Sequence, residues 1–152
     1  MLLRDQISDA MKEAMRSQDK LRLSTLRLVS AAIKNADIEA RGAGKSAPGE
    51  GDLLALLQRL IKQREESVDL YDKGGRPELA AQERAEIEII KAFLPQPLSE
   101  AETQAAIASA IKETGAAGMK DMGKVIALLK ERHAGRMDFG KASALVKGVL
   151  SG

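Results

Sequence analysis

Between residues 89 and 102 the chain reads Ile-Ile-Lys-Ala-Phe-Leu-Pro-Gln-Pro-Leu-Ser-Glu-Ala-Glu, and no single helix can pass through that stretch. Pro95 and Pro97 lack the backbone donors that a continuing helix needs, and each pushes the residue before it out of the α region. Directly afterwards Ser99 and Glu102 stand in S-x-x-E spacing. In that capping box a Ser hydroxyl and a Glu carboxylate each satisfy an orphan N–H of a new first turn. One helix must therefore stop and another start within about five residues, the X-Pro-X-Pro segment between them being stiff. The reading this favours is a joint between two helical domains, residues 1–94 and 98–152. A tight turn inside one bundle is the alternative.

Periodicity supplies helices on both sides. Leu3, Ile7, Met11 and Met15 recur every four residues and mark one face of a first helix. After the polar break at Gln18-Asp19-Lys20, the positions Leu23, Leu26, Val29 or Ser30, Ile33 and Ala36 form the inner face of a second. Residues 41–51 hold four glycines and a proline, and are expected to form a mobile loop. Gly44-Lys45-Ser46 within it matches the end of a phosphate-binding loop, but the glycine needed five positions earlier is Glu39 and a helix, not a strand, precedes. Asp52 is expected to cap a third helix through Leu53, Leu57, Leu60, Ile61, Arg64, Val68 and Tyr71, closed by Gly74-Gly75. Pro77 opens a fourth as its first helical residue, with Leu79, Glu83, Ile87, Ile90 and Leu94 inward. Beyond the joint, Ala105, Ile107, Ala108 and Ile111 outline a fifth helix ending at Gly115. Met122, Val125, Ile126 and Leu129 outline a sixth, ending at Gly135. Asp138 caps a seventh, with Ala142, Leu145, Val146 and Val149 facing in. No segment alternates with period two. The expected fold is all-α, a four-helix domain followed by a small three-helix domain.

Composition agrees with helices and narrows the chemistry. Tyr71, Phe93 and Phe139 are the only aromatics, so the core must be built from aliphatic side chains, which pack well between helices. There is no cysteine and one histidine, His133. Disulfides, thiolate metal sites, Cys nucleophiles and His-pair metal sites are excluded. His133 is expected at a helix C-terminus as a surface partner of the dipole. The carboxylates fall at helical spacing with basic neighbours and converge on nothing. No catalytic residue, cofactor or metal is expected. No apolar run reaches the roughly 18 residues of a membrane span, and the N-terminus lacks the shape of a signal peptide. A monomeric cytoplasmic protein is the expectation.

Net charge is +2, unevenly placed. Residues 115–152 carry seven basic side chains, Lys120, Lys124, Lys130, Arg132, Arg136, Lys141 and Lys147, against three acidic ones. Residues 20–36 carry Lys20, Arg22, Arg27 and Lys34 and no acid. The first set is a candidate RNA-binding surface by phosphate contact. A second candidate, an interaction face, is either Arg22, Arg27 and Lys34 or the ridge of Lys62, Arg64 and Glu65 on the third helix. Both have an ordinary solvated helix face as the plain alternative. Gly123 and Gly135 are residues that would let a phosphate approach the backbone closely, or that serve packing and a C-cap instead.

The motifs also resemble a known family. Asp19-Lys20-Leu21-Arg22-Leu23-Ser24-Thr25-Leu26-Arg27-Leu28 and Ala32-Ile33-Lys34-Asn35-Ala36 are similar to the opening signature of the GatB/YqeY family, in its stand-alone YqeY-like form. Ile61-Lys62-Gln63-Arg64 with Glu66-Ser67, Tyr71 with Gly75-Arg76, Glu86-Ile87, Phe93-Leu94-Pro95, Asp121-Met122-Gly123-Lys124-Val125 and Gly135-Arg136 follow in the same order. The chain departs from many relatives at Met137-Asp138-Phe139-Gly140, where Phe139 is expected to be exposed. The resemblance implies two helical domains. The second would be similar to the tail of the B subunit of glutamyl/aspartyl-tRNA amidotransferase, which helps hold tRNA. It implies a family-level association with carbon–nitrogen ligase activity using glutamine as amido-N-donor, whose catalytic parts this sequence lacks. The expectation is an accessory protein of translation that binds tRNA or an amidotransferase component and has no catalytic site of its own. A protein–protein adaptor without RNA binding is the alternative.

Overall fold

The computed structural model describes residues 1–151, among which there are seven α-helices and no strand. They are α1 (Leu3–Ser17), α2 (Lys20–Gly42), α3 (Glu50–Lys73), α4 (Pro77–Lys91), α5 (Glu100–Thr114), α6 (Met122–His133) and α7 (Phe139–Ser151), with a 3₁₀ turn at Met119–Asp121. The chain gathers into two compact units, one from Met1 to Leu94 and one from Pro95 onward.

In the first unit Leu3, Ile7, Val29, Ile33, Leu53, Leu57, Ile61, Val68, Ala80, Ile87 and Ile90 close one apolar core, with Tyr71, Phe93 and Leu94 packed against it. Burying each large aliphatic side chain contributes roughly 1.5–3 kcal/mol, and together these set the orientation of α1–α4. Several local details differ from the sequence expectation. Ala14 is buried while Met15 is 58% exposed, because a strict four-residue spacing drifts about 40° per repeat around a helix of 3.6 residues per turn. α2 runs through to Gly42 and α3 begins at Glu50, so the loop between them is shorter than residues 41–51. That loop turns back on α2, with the Lys45 N–H donating to the Ala40 carbonyl at 2.8 Å. Asp52 is not the cap of α3. It lies in the first turn, where its carboxylate accepts the Gly49 N–H at 3.0 Å. Asp19 caps α2, accepting the Arg22 N–H at 3.1 Å. α1 has no cap of its own, and the Leu3 N–H donates instead to the Glu50 carboxylate at 3.0 Å.

In the second unit Ile107, Ala110, Val125, Leu129, Met137, Ala142 and Val146 form a separate cluster. The capping box at its start is present. The Ser99 hydroxyl accepts the Glu102 N–H at 3.1 Å, and the Glu102 carboxylate accepts the Ser99 N–H at 2.9 Å. Asp138 caps α7 through the Gly140 and Lys141 N–H groups. Gly115 and Gly135 sit at φ +66° and +77°, the left-handed region in which a side chain is strained. Each follows a helix and turns the chain into the next segment. Some expected inner positions lie outside: Ala105 and Ala108 on α5, and Leu145 with Val149 on α7, are exposed. A three-helix unit buries only a narrow stripe of each helix, and on α7 that stripe runs through Ala142, Val146 and Leu150. Phe139 is half-buried against the cluster and not exposed.

Candidate functional site

Two cationic regions follow from the fold. In the second unit the seven basic residues do not behave alike. Arg132 on α6 forks onto the Glu113 carboxylate of α5, its second bond being 3.1 Å. That guanidinium holds the Glu113 carboxyl below the usual range. Arg136 is half-buried, and its Nε donates to the Gln96 carbonyl at 2.7 Å while its own carbonyl accepts the Leu98 N–H at 2.9 Å. Both arginines thus hold the second unit together as well as presenting charge. Lys124 lies 4.0 Å from Asp121. The Asp121 carboxyl is held low chiefly by the Ala117 N–H, which it accepts at 3.0 Å, and less by Lys124 and Lys120. Lys130 stands 6.0 Å from the centre of the Phe139 ring, within reach of a cation–π attraction. Lys120, Lys141 and Lys147 are exposed; Lys120 acts on Asp121 without forming a salt bridge, and no anionic partner is recorded for Lys141 or Lys147 among the described residues.

Arg132 and Arg136 flank a groove of about 490 Å³ between α5 and α6, floored by Leu98, Ala106, Ala110 and Leu129. His133 lines the same groove. It is not the surface residue expected from the sequence, for it is half-buried and its Nδ1 is enclosed with no hydrogen-bond partner. Gly123, in the first turn of α6, is exposed, and a Cβ built there would meet nothing within 4 Å. Helix packing therefore does not explain that glycine. Gly135 is buried and serves the turn after α6.

The second region is in the first unit. Arg27 and Lys34 are exposed on one side of α2, in a row with Lys20 and Arg41, whereas Arg22 is half-buried and lies off that row. Lys62 is exposed on α3, but Arg64 two residues on points inward. Its Nη1 donates to the Leu60 carbonyl at 3.1 Å, and its Nε lies 3.9 Å from Glu86 of α4. Side chains at 14% and 10% exposure make this a buried ion pair. Glu86 is missed by the periodicity, which places Glu83 inward in its stead. Burial pushes the Glu86 carboxyl above its usual range, Arg64 opposes that shift, and the neighbouring Glu83 adds to it. Of the two candidate faces, Arg22 thus leaves the exposed row of α2 and Arg64 leaves the exposed side of α3.

Among the described residues no group of three or more His, Asp or Glu side chains could hold a metal ion, and no helix is long and apolar enough to cross a membrane.

A curated relative from Lachancea thermotolerans, "Altered inheritance of mitochondria protein 41, mitochondrial", is 39% identical over 105 residues, covering 68% of this chain and 54% of the relative. The protein of the same name from Eremothecium gossypii is 34% identical over 101 residues, covering 66% and 54%. That from Saccharomyces cerevisiae is 35% identical over 86 residues, covering 57% and 45%. The matched region thus spans about half the length of these relatives. Their names correct the cytoplasmic expectation, since each relative is described as mitochondrial. A family model described as "Yqey-like protein" matches residues 4–150, from the start of α1 to the end of α7, and the chain therefore belongs to the YqeY-like family.

Proposed function

We propose that this protein is a non-catalytic accessory factor that binds the sugar–phosphate backbone of a structured RNA, tRNA being the first candidate, through its second unit. The observation that carries this reading is the set of exposed lysines Lys130, Lys141 and Lys147, for which no anionic partner is recorded among the described residues, together with Lys120, which is exposed and forms no salt bridge with Asp121. Cations that the fold leaves unneutralised gain most from counterion release when a phosphate arrives. Folded RNA helices are read by shape and backbone, which suits a helical unit with a single aromatic residue. The resemblance of this part to the amidotransferase B-subunit tail gives the same direction. In this reading the carbon–nitrogen ligase activity associated with the family belongs to partner subunits, and the chain contributes placement.

The test is a filter-binding titration of the whole chain with total tRNA at low and at physiological salt. Binding is expected to fall steeply with salt. Replacing Lys120, Lys141 and Lys147 by Ala together should flatten the salt dependence by about one unit of log–log slope for each lysine that faces a phosphate. No binding at micromolar protein under either condition would remove the reading.

We also infer that the two compact units are separate domains, a four-helix one and a three-helix one, because each closes its own apolar cluster. The Leu98 N–H and the Gln96 carbonyl both bond to Arg136, so a fragment meant to fold alone should begin at Pro95 and not at Leu98. Cooperative helical melting of that fragment is the expected outcome.

A further inference from the structure

The solvent side of α2 carries a seven-residue repeat. Leu21, Ser24, Leu28, Ala31, Asn35 and Ile38 follow one another at alternating spacings of three and four, the spacing of a seam that packs against a second helix. All six are exposed, Leu21 at 37%, Leu28 at 53% and Ile38 at 58%. The opposite side of α2, through Leu26, Val29 and Ile33, is already buried. The stripe is therefore surplus to the packing of its own unit. Along one flank Lys20, Arg27, Lys34 and Arg41 recur every seven residues, all exposed, and no salt bridge is recorded for any of them among the described residues. Arg41 lies near enough to Asp37 to help hold its carboxyl low, but that carboxylate is already forked by Arg4 at 2.7 and 2.9 Å. The other flank, Thr25, Ala32 and Glu39, runs from buried to exposed and carries one acid.

We propose that this face docks an amphipathic helix of another protein that presents an acidic side chain every seven residues opposite the Lys20–Arg27–Lys34–Arg41 row. Charge complementarity selects the occupant. A second copy of the chain running antiparallel would set cation row against cation row. A parallel copy would set that row against Thr25, Ala32 and Glu39, with one acid for four cations. The small Ser24 and Ala31 let a partner backbone come close, and Asn35 in the seam is the kind of polar residue that fixes register. From Lys20 to Arg41 the row advances 21 positions, roughly 32 Å of helix and three heptads. This interface is on the first unit, and the proposal does not rest on RNA binding by the second.

The experiment titrates the whole chain with a synthetic three-heptad peptide bearing Leu at its seam positions and Glu at the flanking ones, read by fluorescence anisotropy. Binding is expected, with no binding by the same peptide carrying Lys for Glu or by unstructured polyglutamate. Arg27→Glu with Lys34→Glu should weaken the acidic peptide by about tenfold or more and create binding of the Lys peptide, since close charge pairs set partner choice. Leu28→Asp should abolish both. Because these positions are exposed, the variants should keep the parent's far-ultraviolet melt and its tRNA binding. Equal binding of polyglutamate, indifference to the charge reversal, or a dimer of the chain that Leu28→Asp dissolves would overturn the proposal.

Discussion

Arg64 and Glu86 form a contact in which two opposing effects can be ranked. Taking a carboxylate out of water disfavours its charge, an adjacent guanidinium favours it, and here burial is the larger influence. The folded-state pKa of Glu86 is therefore above its unfolded value. By linkage, the associated stability is present below the ordinary carboxylate range and is lost as pH rises through the raised value. A difference between the thermal melts of the parent and of Glu86→Gln, followed from about pH 4 to pH 8, should show that slope in the parent only. Glu86→Ala leaves the Arg64 charge enclosed and should cost about 3 kcal/mol, whereas Arg64→Met with Glu86→Leu should be neutral or stabilising. The inward position of Arg64 is legible from its place in the Leu57–Ile61–Val68 stripe. Its partner is not, because Glu83 and Glu86 fit the helical pattern about equally well and only the packed α3–α4 pair distinguishes them. Elsewhere the shifts run the other way. Glu102, Glu113 and Asp121 all have lowered pKa values, from the Ser99 N–H, from Arg132 and from the Ala117 N–H respectively. The stability they give the second unit is lost as pH falls through those lowered values.

At the scale of the element, start and stop signals are more legible than faces. Ser99 with Glu102, Pro77, Gly115, Gly135 and Asp138 all act where the sequence puts them, since each works through its own backbone neighbours. Ser99→Ala should destabilise the second unit by about 1 kcal/mol, and Ser99→Asp should recover most of that, in chemical denaturation. Caps supplied from a distance are invisible in the sequence. Nothing near Leu3 announces that Glu50 accepts its N–H from 47 residues away. Buried faces are misjudged at Met15, Leu145 and Val149, where an apolar residue flanks the true stripe and only neighbouring helices decide between them. Gly123 offers a cleaner test of helix chemistry. With open space before it, Gly123→Ala should stabilise α6 by roughly 0.5–1 kcal/mol. If tRNA affinity fell while stability rose, a phosphate would be approaching that backbone.

Over the whole molecule, the proline segment separates, along the sequence, the residues of two apolar clusters of different size. The all-α class is legible because local contacts dominate such a fold and helical periodicity reports them directly. The candidate surfaces are less legible. Charge can be counted along a chain, but whether Arg132 is engaged by Glu113, or Arg64 by Glu86, depends on how one helix packs against another. Likewise the cation row on α2 emerges only when Arg22 is seen to leave it and Arg41 to join.

The distribution of ring side chains has a practical consequence. Tyr71, the single tyrosine of a chain without tryptophan, lies in α3 against the first cluster. Its emission therefore reports on the first unit alone, while the second is silent at those wavelengths. Ellipticity in the far ultraviolet sums both. A temperature scan recorded in the two channels at once would resolve the unfolding of each part in the intact chain, with no label and no truncation.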